Sequence, residues 1–451
     1  MVVKSSSLPV ALAIDMRETA PAAASQDMYD ENAGAKSEGA SSIGVPGEIA
    51  GLHAAWLRLG KLPWKTLEDD PGLRKVYAPN GTLLKSGGTC YNEELGNSLH
   101  AVAEQGAKAF YNGTVGERLI KDVREAGGIL TMDDLRNYKV RVTNGVSINI
   151  MGYDILGMPP PSSGTVGISL VLNILASYGS LDAVKGPLGL HRLVEALKHM
   201  LAIRMDLGDP NFENISKTVS DMLSPSFAKS IKERIFDNTT FPPEYYLHRS
   251  NFCSVEPAYG PWTSHFCIVD SARNAVSMTS TVNSQFGSGL LSTSTGIVLN
   301  NEMDDFSVPT DLSHDKLPPS PTNFIKPNKR PLSSMSPIIV LKDKQLVGVI
   351  GGSGGLDIIP AVIQLVPNVV SFENWTVVDR EHIELSEKLK DFLKERGHQL
   401  QPKAGGAICQ LVVQNLTAAA GLGRKGRGDD VLRGVLTAII DPRKGGQPAA
   451  M

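Results

Sequence analysis

Thr263-Ser-His-Phe-Cys-Ile-Val-Asp270, which runs on into Asn274-Ala-Val-Ser-Met-Thr-Ser-Thr-Val-Asn283, is the stretch that decides the fold. Upstream of Thr263 the chain reads as helical. From Thr263 the pattern alternates with period two: Phe266 and Ile268 face one way, and Thr263, His265 and Cys267 face the other. That alternation is the mark of a half-buried strand. Residues 270–274 read as a turn and 275–282 as the returning strand. Further strands are expected at 296–300, 337–341 and 346–350, the last two joined by a turn at 342–345. Tyr259-Gly-Pro-Trp262 is turn or loop, so Thr263 stands at the head of a strand directly after an irregular segment.

The half before Thr263 is expected to be mainly helices and loops. Gly44-Val-Pro-Gly-Glu48 resembles a turn leading into a helix over 49–59. Thr131-Met-Asp-Asp134 has capping-box spacing and should start a short helix. Leu193, Leu197 and Leu201 recur at helical spacing over 191–207, and Gly208-Asp209-Pro210 stops that helix because proline cannot extend the hydrogen-bond ladder. His191 and His199 on it are expected to be packing residues. Strands gathered behind a helical half indicate one α+β unit.

With 451 residues, 41% hydrophobic and 20% charged, the chain has the composition of a globular protein with a sizeable core, which excludes disorder, collagen and a disulfide scaffold. A formal charge of −3 gives no field for nucleic acid or an anionic membrane. The basic run Arg424-Lys425-Gly426-Arg427, answered by Asp429 and Asp430, is expected to be a solvated loop. Four cysteines (Cys90, Cys253, Cys267, Cys409) are too scattered for a disulfide framework or a metal site. No apolar run approaches the roughly 18 residues of a membrane helix. The stretch Leu8 to Ile14 is too short, and too soon followed by acid, for a signal peptide. Sequons at Asn80, Asn112, Asn214, Asn238, Asn374 and Asn415 permit a secretory route.

Two nucleophiles compete. Gly351-Gly-Ser353-Gly-Gly355 fits Gly-x-Ser-x-Gly after a strand, as a hydrolase elbow requires, with Asp379 and then His382 or His398 following in the order Ser, acid, His. A plain glycine turn matches it equally. The same glycines also suit backbone N–H donors approaching an oxyanion. The rival is Thr263. Its hydroxyl becomes a useful nucleophile if the chain is cut just before it, because the freed α-amine then serves as its base.

Thr263 to Asp270, Asn274 to Asn283, Asn300-Asn-Glu-Met-Asp-Asp-Phe-Ser307, Lys329-Arg-Pro-Leu-Ser-Ser-Met-Ser-Pro337 and Gly351 to Gly355 follow one another in an order that resembles the small subunit of a γ-glutamyltransferase (γ-glutamyltranspeptidase), one of the N-terminal-nucleophile hydrolases. Asp15-Met-Arg-Glu-Thr-Ala-Pro21, Gly44 to Glu48 and His191-Arg-Leu-Val-Glu-Ala196 resemble its large subunit, in wording closest to plant members. The resemblance implies a four-layer αββα sandwich, with residues 1–262 as the large-subunit-like region and 263–451 as the small. It implies self-cleavage between Trp262 and Thr263, and then attack of Thr263 on the γ-carbonyl of glutathione or its conjugates. The glutamyl ester is passed to water or to an amino-acid or dipeptide acceptor. The two fragments of the chain are each other's partners.

By motif match, Thr281 holds the nucleophile, and the N–H groups of Gly354 and Gly355 form the oxyanion hole. Arg17, Ser333 and Ser334 take the substrate α-carboxylate, while Asn283, Glu302 and Asp305 take its α-ammonium. Taken singly, Arg17 reads as a surface arginine, Ser333-Ser334 as a turn, and Glu302 with Asp305 as an exposed acidic patch. Residues 306–330, rich in Pro and Ser, match the lid region. No cofactor or metal is implied, and the family's compartments are cell surface, apoplast or vacuole. The chain departs from the family pattern at three places. Met1-Val-Val-Lys4 matches an internal point of the usual sequence. A helix and a Pro-Arg-x-His-His segment are expected but missing after Gln364. The course of 415–434 is unlike the family's. An incomplete, uncut form is the alternative these departures raise, and a Ser353 hydrolase is the other.

Overall fold

The computed structural model describes residues 1–5, 8–59, 92–180, 182–246, 263–310, 319–365, 377–378, 382–383, 385–400, 406–415, 435–441 and 449. The helix expected at 49–59 is α1 (Glu48–Leu59). It is followed by α2 (Glu93–Gln105), α3 (Lys108–Tyr111), α4 (Thr114–Glu125), α5 (Met132–Asn137), α6 (Gly164–Ala176), α7 (Gly186–Arg204), α8 (Ser216–Leu223), α9 (Pro225–Lys232), α10 (Ile358–Leu365) and α11 (Glu387–Lys394). The strands are β1 (Val2–Lys4), β2 (Leu12–Asp15), β3 (Arg141–Asn144), β4 (Val146–Ile150), β5 (Tyr153–Gly157), β6 (Ser264–Val269), β7 (Ala275–Ser280), β8 (Ile338–Lys342), β9 (Gln345–Ser353), β10 (Val377–Val378), β11 (His382–Ile383), β12 (Ile408–Asn415) and β13 (Val435–Ile440).

A five-stranded sheet in the order β3-β2-β1-β7-β6 stacks on a six-stranded one, β13-β12-β9-β8-β5-β4. Between them lies a layer built from Ala13, Leu156, Ala275, Ile339 and Val349. The outer face of the larger sheet is sealed by α6 and α10. Residues Val166, Ile168, Leu170 and Ile174 of α6 are wholly buried there, with α7, α8 and α9 packed outside it. On the outer face of the smaller sheet, Leu52, Ala55 and Leu59 of α1 pack on Val3, Ile14 and Met278. Helices α2 to α5 gather beside the sandwich with Ile43 and Leu299. Helix, sheet, sheet, helix is the expected αββα order.

The expectation of a helical first half needs correcting. Among the described residues five strands precede Thr263, and they supply part of both sheets, so the sandwich interleaves the two halves of the chain. Most of those strands are short, so they offer little alternation to read. Residues 296–300 form no named strand: Val298 makes one isolated bridge to Leu291, and Gly296 turns at φ 71°. The capping box forms as expected, with Thr131 N–H donating to Asp134 Oδ2 at 2.8 Å.

On α7 the buried stripe is His191, Glu195, His199 and Ile203, with Ala196, Met200 and Arg204 beside it, while the three leucines are only partly buried. Polar residues at spacing four carry the inner face there. Alternation on β6 is as expected, yet Phe266 and Ile268 point outward and are 48% and 60% exposed. His265 and Cys267 face the other sheet instead, because their partners are backbone and glycine: Cys267 Sγ lies 3.3 Å from Val349 O. Burial pushes the Cys267 thiol up to about 12. Among the described residues no helix is long and apolar enough to cross a membrane.

Candidate active site

Hairpin β6–β7 is antiparallel, with Ser264 opposite Ser280. One step further along that register sets Thr263 opposite Thr281, and their hydroxyls meet at 3.0 Å. Thr281 Oγ1 also accepts the Asn283 N–H at 2.9 Å, which helps to hold its hydroxyl against Thr263. Asn283 takes φ 70° to make that bond.

Across the sandwich, Cys267 sits over Val349, and the His265 ring lies so close to Gly351 that a Cβ there would overlap it. Two residues beyond that glycine β9 ends, and Ser353 gives way to Gly354 and Gly355. Both glycines have positive φ, 131° and 59°. Ser353 is fully buried, and its hydroxyl points to Ile408 O at 3.4 Å. Of the three residues expected to serve it, only His398 has a described side chain. Asp379 lies outside the described residues, as does the His382 side chain, and the His398 ring is paired with His191 at 2.7 Å.

Arg17, Glu302 and Asp305 come together. Arg17, nearly buried, forms ion pairs with both carboxylates. Its backbone is pinned by Asp15, whose Oδ1 accepts the Arg17 N–H at 3.0 Å, and by Tyr138, whose hydroxyl donates to Arg17 O at 2.8 Å. Asn300 Oδ1 accepts both the Gly44 and Glu302 N–H groups at 3.0 Å, tying the Gly44–Glu48 turn to the acidic segment. Burial lowers the Arg17 pKa, but Glu302 and Asp305 more than reverse that. Acid outnumbers base: burial, and then the neighbouring carboxylates, push Glu302 up, and burial takes Glu18 to about 7. Glu302 Oε2 is buried with no hydrogen-bond partner among the described residues. One cavity is lined by Arg17, Glu18, Glu48, Thr281, Ser333 and Met335 among others.

Replacing Arg17 strands two carboxylates, one of them buried. Arg17→Met is expected to lose about 3–5 kcal/mol of stability in a denaturant titration, as breaking a buried pair does. Arg17→Lys keeps the charge and should lose less.

Ser333 and Ser334 are buried, as is a residue that the motifs alone did not mark. Arg204, at the end of α7, donates from Nε to Ser163 Oγ at 2.8 Å and from Nη2 to Ser334 Oγ at 2.9 Å. The signal was a charged residue in phase with the buried stripe of an amphipathic helix. The lid-like segment 306–330 packs closely where described: Lys329 is fully buried and pairs with Glu213 at 2.8 Å, and Thr322 Oγ1 donates to Leu207 O at 2.8 Å. Its residues 311–318 lie outside the described residues, as do the basic run and Trp262.

His191, Glu195 and His398 place ligand atoms within 4.8 Å of one another, as a metal would need. Those atoms are already engaged. His191 meets His398 and Phe236 O, and Glu195 accepts from Lys198 at 2.9 Å, Thr240 at 2.6 Å and Tyr246 at 2.5 Å. The ammonium of Lys198 beside them disfavours a further cation. The cluster ties α7 to the segment after α11. Burial lowers His398 from 6.5 to about 4, helped by Lys198, His191 and Arg396 and opposed by Glu195. The unfolded chain therefore binds a proton first, and this contribution, whole above pH 6.5, is lost as pH falls towards 4. Thermal melts should show Tm dropping over that window, less steeply in His398→Asn.

A sequence model described as Gamma-glutamyltranspeptidase matches residues 1–69 and 65–451. Glutathione hydrolase 3 of Arabidopsis thaliana is 53% identical over 512 residues, covering 100% of this chain and 80% of the relative. Glutathione hydrolase 2 of the same plant is 46% identical over 501 residues, covering 97% and 83%. Among solved structures, cephalosporin acylase from Bacillus halodurans superposes with a TM-score of 0.77 at 21% identity, covering 100% of this chain and 86% of that one, a likeness of fold. With the family model and these relatives spanning the whole sandwich, the chain belongs to the γ-glutamyltranspeptidase family.

Proposed function

We propose that the protein is a glutathione hydrolase and γ-glutamyl transferase whose nucleophile is Thr263. The observation that carries this reading is a hydroxyl pair, Thr263 with Thr281, of which Thr281 lines a cavity that also presents a guanidinium and an excess of carboxylate. A γ-glutamyl group bears a carboxylate and an ammonium on one carbon. In the ligand-free protein, Arg17 and the pair Glu302 and Asp305 satisfy one another. The zwitterion replaces that contact, its ammonium reaching Asn283, Asp305 and the unpartnered Glu302 Oε2, and its carboxylate reaching Arg17, Ser333 and Ser334.

Maturation comes first. The Thr263 hydroxyl adds to the Trp262 carbonyl, the C–N bond breaks to leave an ester and a free amine, and water hydrolyses the ester. The large and small fragments stay together because both sheets contain strands from each. The new amine, with a reference pKa of about 8, is partly neutral near pH 7 and accepts the Thr263 proton. Thr263 Oγ1 bonds to the γ-carbon, and the N–H groups of Gly354 and Gly355 receive the negative oxygen. The intermediate then expels the amine of cysteinylglycine, which takes the proton. Water or the amine of an amino acid or dipeptide next attacks the glutamyl ester and restores Thr263.

The test is an assay of purified protein with glutathione, alone and with a dipeptide acceptor, beside intact-mass analysis. Expected are two fragments meeting at Trp262 and Thr263, glutamate and cysteinylglycine as products, and a γ-glutamyl dipeptide when acceptor is added. A folded, uncut chain without turnover supports the alternative of an inactive form.

A further inference from the structure

We propose that Arg204 is a positioning residue for carboxylate recognition: its guanidinium orients the Ser334 hydroxyl as a donor to the α-carboxylate of the γ-glutamyl group and places a second positive charge behind that subsite. The inference rests on the function proposed above and deepens it.

Arg204 is 6% exposed and ends α7, so the helix delivers its side chain into the interior. It makes no ion pair with a carboxylate among the described residues, and its bonded partners are two neutral hydroxyls, those of Ser163 and Ser334. Burial lowers its pKa to about 10, with Asp305 opposing and Arg17 assisting the shift, so it stays charged at neutral pH. A buried cation without a directly paired counter-ion is destabilising, and an anion arriving beside it relieves that.

The hydroxyl geometry says where the anion goes. Ser334 Oγ accepts from Arg204, and Ser333 Oγ accepts the Met335 N–H at 3.1 Å. With those lone pairs taken by donors, each hydroxyl has its own proton left to give, and neither proton finds an acceptor among the described residues. Two such protons beside Arg17 form a subsite for a carboxylate. Arg204 also fixes the backbone there: Ser163, held by its Nε, donates from Oγ to Ser333 O at 2.7 Å, and Ser163 N–H donates to the same oxygen at 2.8 Å. Met335 follows at the cavity wall.

The experiment measures kcat and KM for the self-cleaved full chain with two donors sharing one leaving group, a γ-glutamyl amide and the γ-aminobutyryl amide that lacks the α-carboxylate. Arg204→Lys is expected to raise KM for the γ-glutamyl donor about tenfold, to change kcat less than about threefold, and to leave the analogue unaffected. Combined with Ser334→Ala, the two losses should overlap by about tenfold instead of multiplying. Equal losses on both donors, or additive losses in the double variant, overturn the proposal. If Arg204→Lys fails to fold, Ser163→Ala frees the guanidinium while keeping its charge. It should raise KM for the γ-glutamyl donor about threefold, as the loss of one hydrogen bond does, and no discrimination between donors would contradict the role. A wild-type chain that turns over neither donor refutes the function instead. Calorimetric binding of L-glutamate against γ-aminobutyrate, in wild type and Arg204→Lys, then decides the role of Arg204: a preference for L-glutamate in wild type that the variant loses supports it, and its absence refutes it.

Discussion

Thr263→Ala is expected to remove γ-glutamyl turnover by about 10⁴-fold or more and to leave the chain in one piece, since one hydroxyl serves both reactions. The variant should fold as the wild type does. Thr263 heads a strand whose register with β7 is set by six paired positions from Ser264 to Val269, none of which uses the Thr263 hydroxyl. Thr281→Val is the informative companion. It removes the partner at 3.0 Å but not the nucleophile, so cleavage and turnover should both slow without vanishing, by the 10–100-fold typical of a lost orienting hydrogen bond. Quantifying glutamate release and the fraction of cut chain together separates these outcomes. Turnover surviving in Thr263→Ala would transfer the chemistry to another group, and the buried Ser353 is the one to examine next.

The second large effect is expected at Gly354. Its φ of 131° is open to glycine alone, and a Cβ there would lie 2.6 Å from Ala407 Cα, which is backbone and cannot swing aside. Gly354→Ala must therefore shift the turn between β9 and the 3-10 turn Gly355–Asp357, and with it the direction of the N–H groups proposed above to receive the oxyanion. Losing one oxyanion donor lowers kcat about 10²–10³-fold, so kcat should fall by that amount with KM changed far less. Gly127→Ala is the control: φ is 87° there, but nothing lies within 4 Å of the added Cβ, so it reports backbone strain alone. Equal kcat values in the two variants would show that Gly354 has no special part in the reaction.

Much of this was legible in the sequence because its signals were local. Period two from Thr263 and the capping box at Thr131 each read correctly from neighbours in the chain. The motif order located Arg17, Glu302, Asp305, Ser333 and Ser334, and the structure brings Arg17 onto the two acids although roughly 285 positions separate them. Less could be read where the cause was tertiary. The short strands β1, β2 and β3 are held by pairing with distant partners, Val2 with Ser277 for example, and have little pattern of their own. The leucine stripe on α7 gave the helix but not its innermost face, because His191, Glu195 and Arg204 are buried by bonding to residues far along the chain. A polar stripe pays for its desolvation only through such partners, and a sequence does not display them.

The central claim, that Thr263 carries the glutamyl group, is tested most directly by quenching the protein in acid during glutathione turnover and mapping the modification by mass spectrometry. The account predicts a fragment beginning at Thr263 with one γ-glutamyl group on that residue, absent from Thr263→Ala. A γ-glutamyl group on Ser353, or turnover by a chain still joined at Trp262 and Thr263, would contradict it.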